Sequence, residues 1–250
     1  MHIFSRTELL LGAGAMKRLS QANVVVFGIG GVGSYASEAL VRCGVGRICL
    51  VDHDTVGPTN INRQAHAAHS TIGQLKVEAM ASRLLDINPN AAVKKVSAFY
   101  SPGMGREVLS GRIDYILDCI DTVACKIDLA VEAIGRGIPI ISCMGVGNKL
   151  DASMLQIADV SKTRGCPLAR NMRKELRKRG VRRLKVVYSQ ETPRLPAEGK
   201  LYAEALKALS AESPSRRAVP GSVSFVPSAA GLLMAGEAIR DIIAAEADAK

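Results

Sequence analysis

One run of glycines restricts the fold of this chain more than any other feature of its sequence. Gly28-Ile29-Gly30-Gly31-Val32-Gly33 lies between a Val-rich strand, Asn23–Phe27, and a predicted helix over residues 34–43. Glycines let backbone N–H groups approach a phosphate, and the following helix directs the positive end of its dipole at the same anion. Strand, glycine turn and helix in this order predict a nucleotide site built on Gly28, Gly30, Gly31 and Gly33.

Further strands and helices alternate along the first part of the chain. The sequence predicts strands at Arg47–Val51, 93–98, 115–117 and 139–143, and helices at 74–88 and 122–135. Hydrophobic residues make up 48% of the chain but aromatic residues only 4%. The core must therefore consist of Val, Ile, Leu and Ala, as in a parallel sheet with helices on both faces. The pattern predicts a Rossmann-like, doubly wound, mostly parallel α/β sheet.

The second half of the chain has a different character. Residues 149–158 predict an edge strand, residues 164–185 are strongly basic, and residues 191–222 hold four of the ten prolines. Those prolines predict an irregular, partly mobile loop, followed by a strand over 223–226 and a helix over 228–247. We therefore divide the chain into a nucleotide-binding domain, residues 1–160, which opens with a helical lead-in over 6–20, and an appended region, residues 161–250, that completes the same domain.

Composition limits the partners and the compartment. The net charge of +10 favours an anionic partner. The six cysteines include no CxxC pair, so neither a zinc ribbon nor a redox dithiol is indicated. No apolar run reaches the length of a membrane span, and the N-terminus does not resemble a signal peptide, so we expect a cytoplasmic protein.

Charged residues beyond the glycine turn indicate a polyphosphate rather than a nicotinamide. Asp52 ends the next strand, where a carboxylate can accept hydrogen bonds from ribose hydroxyls. Arg63 and Lys76 could neutralise charge on a polyphosphate, although each taken singly is typical of a surface charge. Asp121, just past a strand end, suits a magnesium ion, but it could instead cap the helix that begins near Thr122. Together these residues favour a triphosphate bound with a metal.

At these positions the chain resembles the ThiF/MoeB superfamily of adenylating enzymes, relatives of the ubiquitin-activating enzymes. The matching pieces, from residue 28 to residue 123, are GIGGVG, VDHDTV, TNINRQ, GQLKVE and DCIDTV. The resemblance implies that residues 1–160 form an ATP-binding adenylation domain. It also implies that Arg6, in SRTELLLG, is an arginine finger that reaches across a homodimer to the ATP of the other subunit.

The same resemblance implies roles for the remaining site residues. The glycines and Asp52 would hold the nucleotide, with Asp54 and Asn62 as further nucleotide-binding positions. Asn60, Arg63 and Lys76 would contact phosphates, and Asp121 would bind Mg²⁺. The implied cofactors are ATP and Mg²⁺, and the implied catalytic residues are Arg6, Arg63, Lys76 and Asp121.

Two features of the second half narrow the resemblance to one branch. The sulfur-carrier activators of the superfamily carry two CxxC pairs for zinc, and this chain has none. The segments KTRGCPL, at residues 162–168, and PGSVSFVP, at 220–227, resemble the tRNA threonylcarbamoyladenosine dehydratases. That branch uses ATP to adenylate the threonyl carboxylate of a modified adenosine in tRNA, after which an internal nitrogen displaces AMP and closes a ring. The partner implied is tRNA.

The sequence also allows three other functions. The first alternative is an adenylyltransferase that activates the C-terminus of a ubiquitin-like sulfur-carrier protein. The second is a catalytically silent scaffold that binds a sulfur-transfer protein. If the chain is an active enzyme, such a protein is also a candidate partner. A dehydrogenase is the third, and it would have no need for Arg6, Arg63, Lys76 and Asp121 together.

A basic segment and one cysteine each allow two interpretations. The cations of residues 170–185 could contact RNA phosphates or form a solvated helix face, with Leu168, Met172 and Leu176 as the buried stripe. We expect Cys166 in an exposed loop, where it is either a structural thiol or one activated by Arg164 and Arg170.

Overall fold

A seven-stranded sheet forms the centre of the chain, which a computed structural model describes over residues 1–212 and 220–245. The strands are β1 (Asn23–Phe27), β2 (Arg47–Val51), β3 (Ala92–Val96), β4 (Tyr115–Asp118), β5 (Ile140–Cys143), β6 (Leu155–Asp159) and β7 (Lys185–Ser189). They lie in the order β3-β2-β1-β4-β5-β7-β6, and every pair of neighbours is parallel except β7 and β6. This arrangement confirms the predicted Rossmann-like sheet.

Helices cover both faces of the sheet. They are α1 (Ser5–Leu11), α2 (Ala13–Gln21), α3 (Gly33–Arg42), α4 (Lys76–Ile87), α5 (Gly105–Val108), α6 (Val123–Gly135), α7 (Pro167–Lys178), α8 (Lys200–Glu212) and α9 (Phe225–Ala244). Helices α2, α3, α4 and α9 pack on one face, and α5, α6 and α7 pack on the other. None of the helices within the described ranges has the length and apolar character that crossing a membrane requires.

The central strands are apolar because both of their faces are covered. In β1, Val24 and Val26 point into the core on the α3 and α9 side, whereas Val25 and Phe27 point into the core on the α6 and α7 side. All four are buried. Since β1, β2, β4, β5 and β7 run in the same direction, their carboxyl ends meet at one edge of the sheet, which is where ligands bind in open α/β folds.

The last helix belongs to the same core as the glycine turn. Helix α9 packs its small residues on α3 so closely that a Cβ on Gly231 would lie 2.3 Å from the carbonyl oxygen of Val32. A polar cluster fixes the other end of α9, where the Tyr115 hydroxyl donates to Asp241 over 2.6 Å. The Lys185 ammonium donates to Glu237 over 2.8 Å and to Asp241 over 2.6 Å. The end of the chain therefore supports the nucleotide-binding half directly.

Two expectations about the second half are wrong. Residues 223–226 are not a strand, because α9 already begins at Phe225 and buries Val226. Residues 191–222 are not irregular throughout, because they contain α8; residues 213–219 of that segment lie outside the described residues. Strand β7, which was not predicted, begins at Lys185, the last residue of the basic segment. The helical lead-in predicted over residues 6–20 is confirmed, and it consists of two helices because Gly12 has φ +81° between α1 and α2. The domain boundary at residue 160 stays a prediction.

Candidate functional site

The glycine turn after β1 is crowded at three of its glycines and open at the fourth. A Cβ on Gly28 would lie 2.7 Å from the Cys119 carbonyl oxygen, and one on Gly33 would lie 1.9 Å from the Gly28 oxygen. A Cβ on Gly31 would lie 3.2 Å from Pro227. On Gly30, by contrast, the nearest atom would be an amide nitrogen of a glutamine 4.0 Å away. Packing thus requires three glycines, and Gly30 leaves a backbone surface that a phosphate could approach.

Asp52 ties the end of β2 to this turn. One carboxylate oxygen accepts the Ile29 N–H over 2.6 Å, and the other accepts the Asp54 N–H over 2.8 Å. Each oxygen keeps a further lone pair, so the half-buried carboxylate can still accept a hydroxyl proton. That Asp52 binds the nucleotide stays a prediction. The structure also gives Asp52 a role that was not predicted, which is to shape the glycine turn.

Lys76 is a buried cation that forms a salt bridge with an exposed carboxylate. It begins α4 with only 6% of its surface exposed, and its ammonium lies 2.6 Å from an Asp54 carboxylate oxygen. The Asp54 side chain is 48% exposed. Because an unpaired ammonium is costly to bury, Asp54 holds Lys76 in place. A polyphosphate at the same edge could replace that carboxylate as the counter-ion.

The loop after β2 presents Arg63 through local contacts. Its guanidinium donates to the Thr59 carbonyl over 2.8 Å and to the Asn62 side-chain oxygen over 3.0 Å. Partial burial lowers the pKa of Arg63, although an arginine stays charged at any ordinary pH. The Asn60 side chain accepts the Gly57 N–H over 2.9 Å, so in this structure it closes the loop. The phosphate contacts predicted for Asn60 and Arg63 stay predictions.

Arg6 and Asp121 are both exposed. Arg6 lies on α1, a helix that buries none of its residues, and it forms no salt bridge within the described ranges. Asp121 follows β4 and accepts a hydrogen bond from the Thr122 hydroxyl over 3.3 Å. Thr122, not Asp121, occupies the N-cap position of α6. The exposed carboxylate at the strand end is therefore placed where a metal could reach it.

Beneath Asp121 lies a buried ion pair that the sequence analysis missed. Asp118 and Lys126 are fully buried, with the ammonium 2.9 Å from a carboxylate oxygen. The Ser142 hydroxyl donates to the same carboxylate, and the Ile120 N–H donates to its other oxygen over 3.1 Å. These bonds join the ends of β4 and β5 and fix the start of the loop that carries Asp121. A lysine within the apolar face of α6 was the available signal.

Two further buried side chains near the site lack partners. The Gln64 side-chain oxygen and both ring nitrogens of His66 form no hydrogen bond among the described residues. Burial, together with the charges of Lys76 and Arg83, lowers the pKa of His66 to about 4, so the ring is neutral. The amide nitrogen that approaches Gly30 is that of Gln64. A buried oxygen without a partner, on the side chain that approaches the open glycine, is consistent with a ligand that donates a hydrogen bond here.

Cys166 is not in an exposed loop, which corrects the expectation from sequence. It is 5% exposed and occupies the N-cap of α7, where its sulfur accepts the Ala169 N–H over 3.5 Å. This contact favours the structural interpretation of the thiol.

Helix α7 buries a narrow stripe and exposes its cations. Its buried residues are Ala169, Met172 and Leu176, whereas the predicted Leu168 is only half-buried. Arg173 turns inward and donates to the carbonyls of Val160 and Thr163 over 3.1 Å each. Within residues 167–185, the exposed cations that form no salt bridge among the described residues are Arg170, Lys174, Arg177, Arg182 and Arg183. The helix thus presents a positive surface.

Comparisons with known proteins show which family the chain resembles along its length. The chain is 43% identical to the tRNA threonylcarbamoyladenosine dehydratase of Bacillus subtilis over 247 residues, which cover 97% of this chain and 95% of that protein. It superimposes with a TM-score of 0.86 and 31% identity on E. coli tRNA N6-threonylcarbamoyladenosine dehydratase in complex with ATP, covering 99% and 96% of the two chains. The molybdopterin-synthase adenylyltransferase of E. coli is 35% identical over 124 residues, about half of each protein, at 50% and 49%. The ThiF family model matches residues 4–249, and the chain therefore belongs to the ThiF family.

Proposed function

We propose that this chain is an ATP-dependent dehydratase that acts on threonylcarbamoyladenosine in tRNA. The observation that carries the proposal is the extent of the similarity to the Bacillus subtilis dehydratase. It covers 97% of the chain and so includes α7 and α9, whereas the similarity to the sulfur-carrier type of adenylyltransferase covers 50%. Activation of a carrier protein is therefore the weaker alternative.

The reaction has two steps, in which the nucleoside loses one molecule of water in total. A carboxylate oxygen of the threonyl group attacks the α-phosphorus of ATP, and the bond to the β-phosphate oxygen breaks, so that pyrophosphate leaves. An internal nucleophile of the same nucleoside then attacks the acyl carbon and loses its proton, and AMP leaves with the carboxylate oxygen. No covalent bond to the protein is needed, so positioning and charge neutralisation supply the rate.

The residues at the sheet edge suit ATP. Gly30 offers an open backbone surface, and the Gln64 side chain that approaches it has an oxygen without a partner among the described residues. Lys76 and Arg63 bring two cations to the same edge, and Asp54 keeps Lys76 oriented. Lys76 would bind phosphate oxygens once it turns from Asp54, and Arg63 would do so from the neighbouring loop.

Asp121 is the residue that we assign to Mg²⁺. Magnesium is bound by one or two carboxylates together with phosphate oxygens, and Asp121 offers an exposed carboxylate at the end of β4. When bound, the ion would neutralise charge on the polyphosphate. The buried pair of Asp118 and Lys126 keeps the loop of Asp121 at the edge of the sheet.

We also propose a homodimer in which Arg6 completes the site of the other subunit. Helix α1 buries no residue, and its Leu9 and Leu10 are 88% and 85% exposed. Leucines exposed to this extent, beside Arg6, suit an interface between two copies of the chain. The exposed cations of α7 and the net charge of +10 suit tRNA phosphates. With tRNA as its substrate, the enzyme would act in the cytoplasm.

Incubation with defined substrates tests the proposal. The purified chain, ATP and Mg²⁺ are mixed either with tRNA bearing threonylcarbamoyladenosine or with a carrier protein that ends in Gly-Gly. Pyrophosphate release is measured, and nucleosides are analysed by mass spectrometry. We expect release only with the tRNA, together with a nucleoside lighter by one water. Release with the carrier alone would establish the alternative, and unmodified tRNA serves as the control.

A further inference from the structure

Ligands of open α/β sheets bind in a cleft outside the carboxyl ends of the strands. The ends of β5 and β7 border this cleft beside the nucleotide-binding edge. The loop after β5, residues 144–149, leaves the sheet at the same edge as the glycine turn, because β1, β4 and β5 are parallel neighbours. The segments 190–194, after β7, and 220–224, before α9, reach the same place. We call these three segments the acceptor wall.

Asn148 joins all three segments of the acceptor wall. Its N–H donates to the Gly221 carbonyl over 2.8 Å, and its carbonyl accepts the Arg194 N–H over 2.7 Å. Its side-chain oxygen accepts the Gly221 N–H over 2.6 Å. Among the described residues other than glycine, only Asn148 has a positive φ, at 60°. Asparagine tolerates this conformation better than most residues, so both its backbone and its side chain suit the position.

The segment that Asn148 holds also reaches the nucleotide side. The Asn62 side-chain nitrogen donates to the Ser222 carbonyl over 3.0 Å, and the oxygen of the same side chain accepts from Arg63 over 3.0 Å. Further along, Pro227 packs against Gly31 of the glycine turn. Residues 220–224 therefore cross between the loop that presents Arg63 and the loop that follows β5. They lie beside the edge of the sheet at which we propose that ATP binds.

We propose that Asn148 is a positioning residue for the acceptor, a carboxylate-bearing nucleoside within an RNA. It seats residues 220–224 across the cleft so that the acceptor carboxylate is placed beside the nucleotide. The inference rests on the proposed function and deepens it, because it assigns acceptor placement to a residue outside the adenylation motifs. Asn148 acts through Gly221 and Ser222 and does not itself take part in the chemistry.

Substitutions at Asn148 separate its backbone from its side chain. Asn148→Gly keeps the left-handed backbone and removes the side-chain oxygen that accepts the Gly221 N–H, whereas Asn148→Asp keeps that oxygen. For Asn148→Gly we expect kcat/KM for the modified tRNA to fall about tenfold, mostly through KM, because the segment loses the hydrogen bond that seats Gly221. The Kd for ATP should not change. Hydrogen exchange at the Gly221 N–H should accelerate in Asn148→Gly and stay slow in Asn148→Asp.

Asn23→Ala is the matched control. It removes the side-chain hydrogen bond to the Arg112 carbonyl at the opposite edge of the sheet, which is 2.6 Å long. We expect its KM for tRNA to equal that of the parent chain.

If ATP binding weakens in Asn148→Gly as much as tRNA use, or if Asn23→Ala impairs tRNA use equally, Asn148 is merely structural and the inference fails. An unaltered KM for tRNA in Asn148→Gly also overturns it. A parent chain that never turns over tRNA would overturn the proposed function instead, while the Gly221 exchange rates would still report whether Asn148 seats the segment.

Discussion

The two walls of the cleft are built by contacts of very different range. On the nucleotide side, Asp52 binds a residue 23 positions away, and Lys76 binds Asp54 at a separation of 22. In the acceptor wall, Asn148 and Gly221 are 73 positions apart, and Asn62 reaches Ser222 across 160. The nucleotide side is thus assembled within consecutive strand–helix units, whereas the acceptor wall exists only after the end of the chain has returned to the sheet.

This difference suggests how one adenylation chemistry can serve different acceptors. The cations and carboxylates proposed to bind a polyphosphate are held mostly by short-range contacts, although Asn62, which contacts Arg63, also reaches Ser222. The residues of the acceptor wall are held by backbone and side-chain hydrogen bonds between distant segments. Substitutions can test whether the two regions are separable, beginning with the buried pair of Asp118 and Lys126.

Removal of Lys126 should have the largest effect, because it leaves the Asp118 carboxylate buried without its cation. We expect Lys126→Met to lower the free energy of unfolding by about 3–5 kcal/mol. The double variant Lys126→Met/Asp118→Asn should recover part of the loss, since no unpaired charge remains. Urea unfolding measures both. Equal stability of Lys126→Met and the parent chain would show that the junction of the two regions does not depend on this pair.

Asp121→Ala should abolish most adenylation while leaving the fold intact, because the metal would lose its protein ligand. Loss of a group that stabilises developing charge typically costs about 10²–10³ in rate. Pyrophosphate release with modified tRNA measures the effect. Asp86→Ala, which removes an exposed carboxylate of α4, is the control and should keep full activity. Full activity of Asp121→Ala would contradict the metal assignment.

Mixing two inactive variants should restore activity if Arg6 is supplied by the other subunit. In a mixed dimer of Arg6→Ala and Lys76→Ala chains, one site has both residues intact, so random pairing should give about a quarter of the parent activity. Arg6→Ala mixed with the double variant Arg6→Ala/Lys76→Ala should stay inactive. No recovery after confirmed subunit exchange would show that the arginine does not act across the interface.

The smallest effect should come from the basic surface of α7 and the turn after it. Replacing Arg177, Lys178, Arg182 and Arg183 with Gln should weaken tRNA binding and leave ATP binding unchanged. For every phosphate that the variant no longer binds, the slope of log K against log salt should fall by roughly 0.7–0.9. Binding titrations at several salt concentrations measure the slope. A parental slope would identify the segment as a solvated face, and weakened ATP binding would contradict the separation of the two regions.

The nucleotide side could be predicted without the structure because its signals are local. A glycine turn between a buried strand and a helix is a pattern of neighbouring residues, and the structure confirms the strands before and after it. Periodicity in the first half predicted α4 and α6 to within a few residues, because each helix buries one continuous apolar face. The alternation of strands and helices was sufficient to predict the parallel sheet.

The second half and the buried polar groups depend on the folded arrangement of the whole chain. Strand β7 is buried between β5 and β6, yet basic residues precede it, so its burial could not be predicted from local composition. Val226 is buried in the first turn of α9, and the packing of this helix on α3 overrides the strand propensity of the valine. Lys126 is buried because it pairs with Asp118, whose carboxylate also accepts from Ser142 of the adjacent strand, and Asn148 holds the acceptor wall because Gly221 returns to it. The bonds from Ser142 and Gly221 join segments that are distant in the chain, and no local pattern specifies such partners.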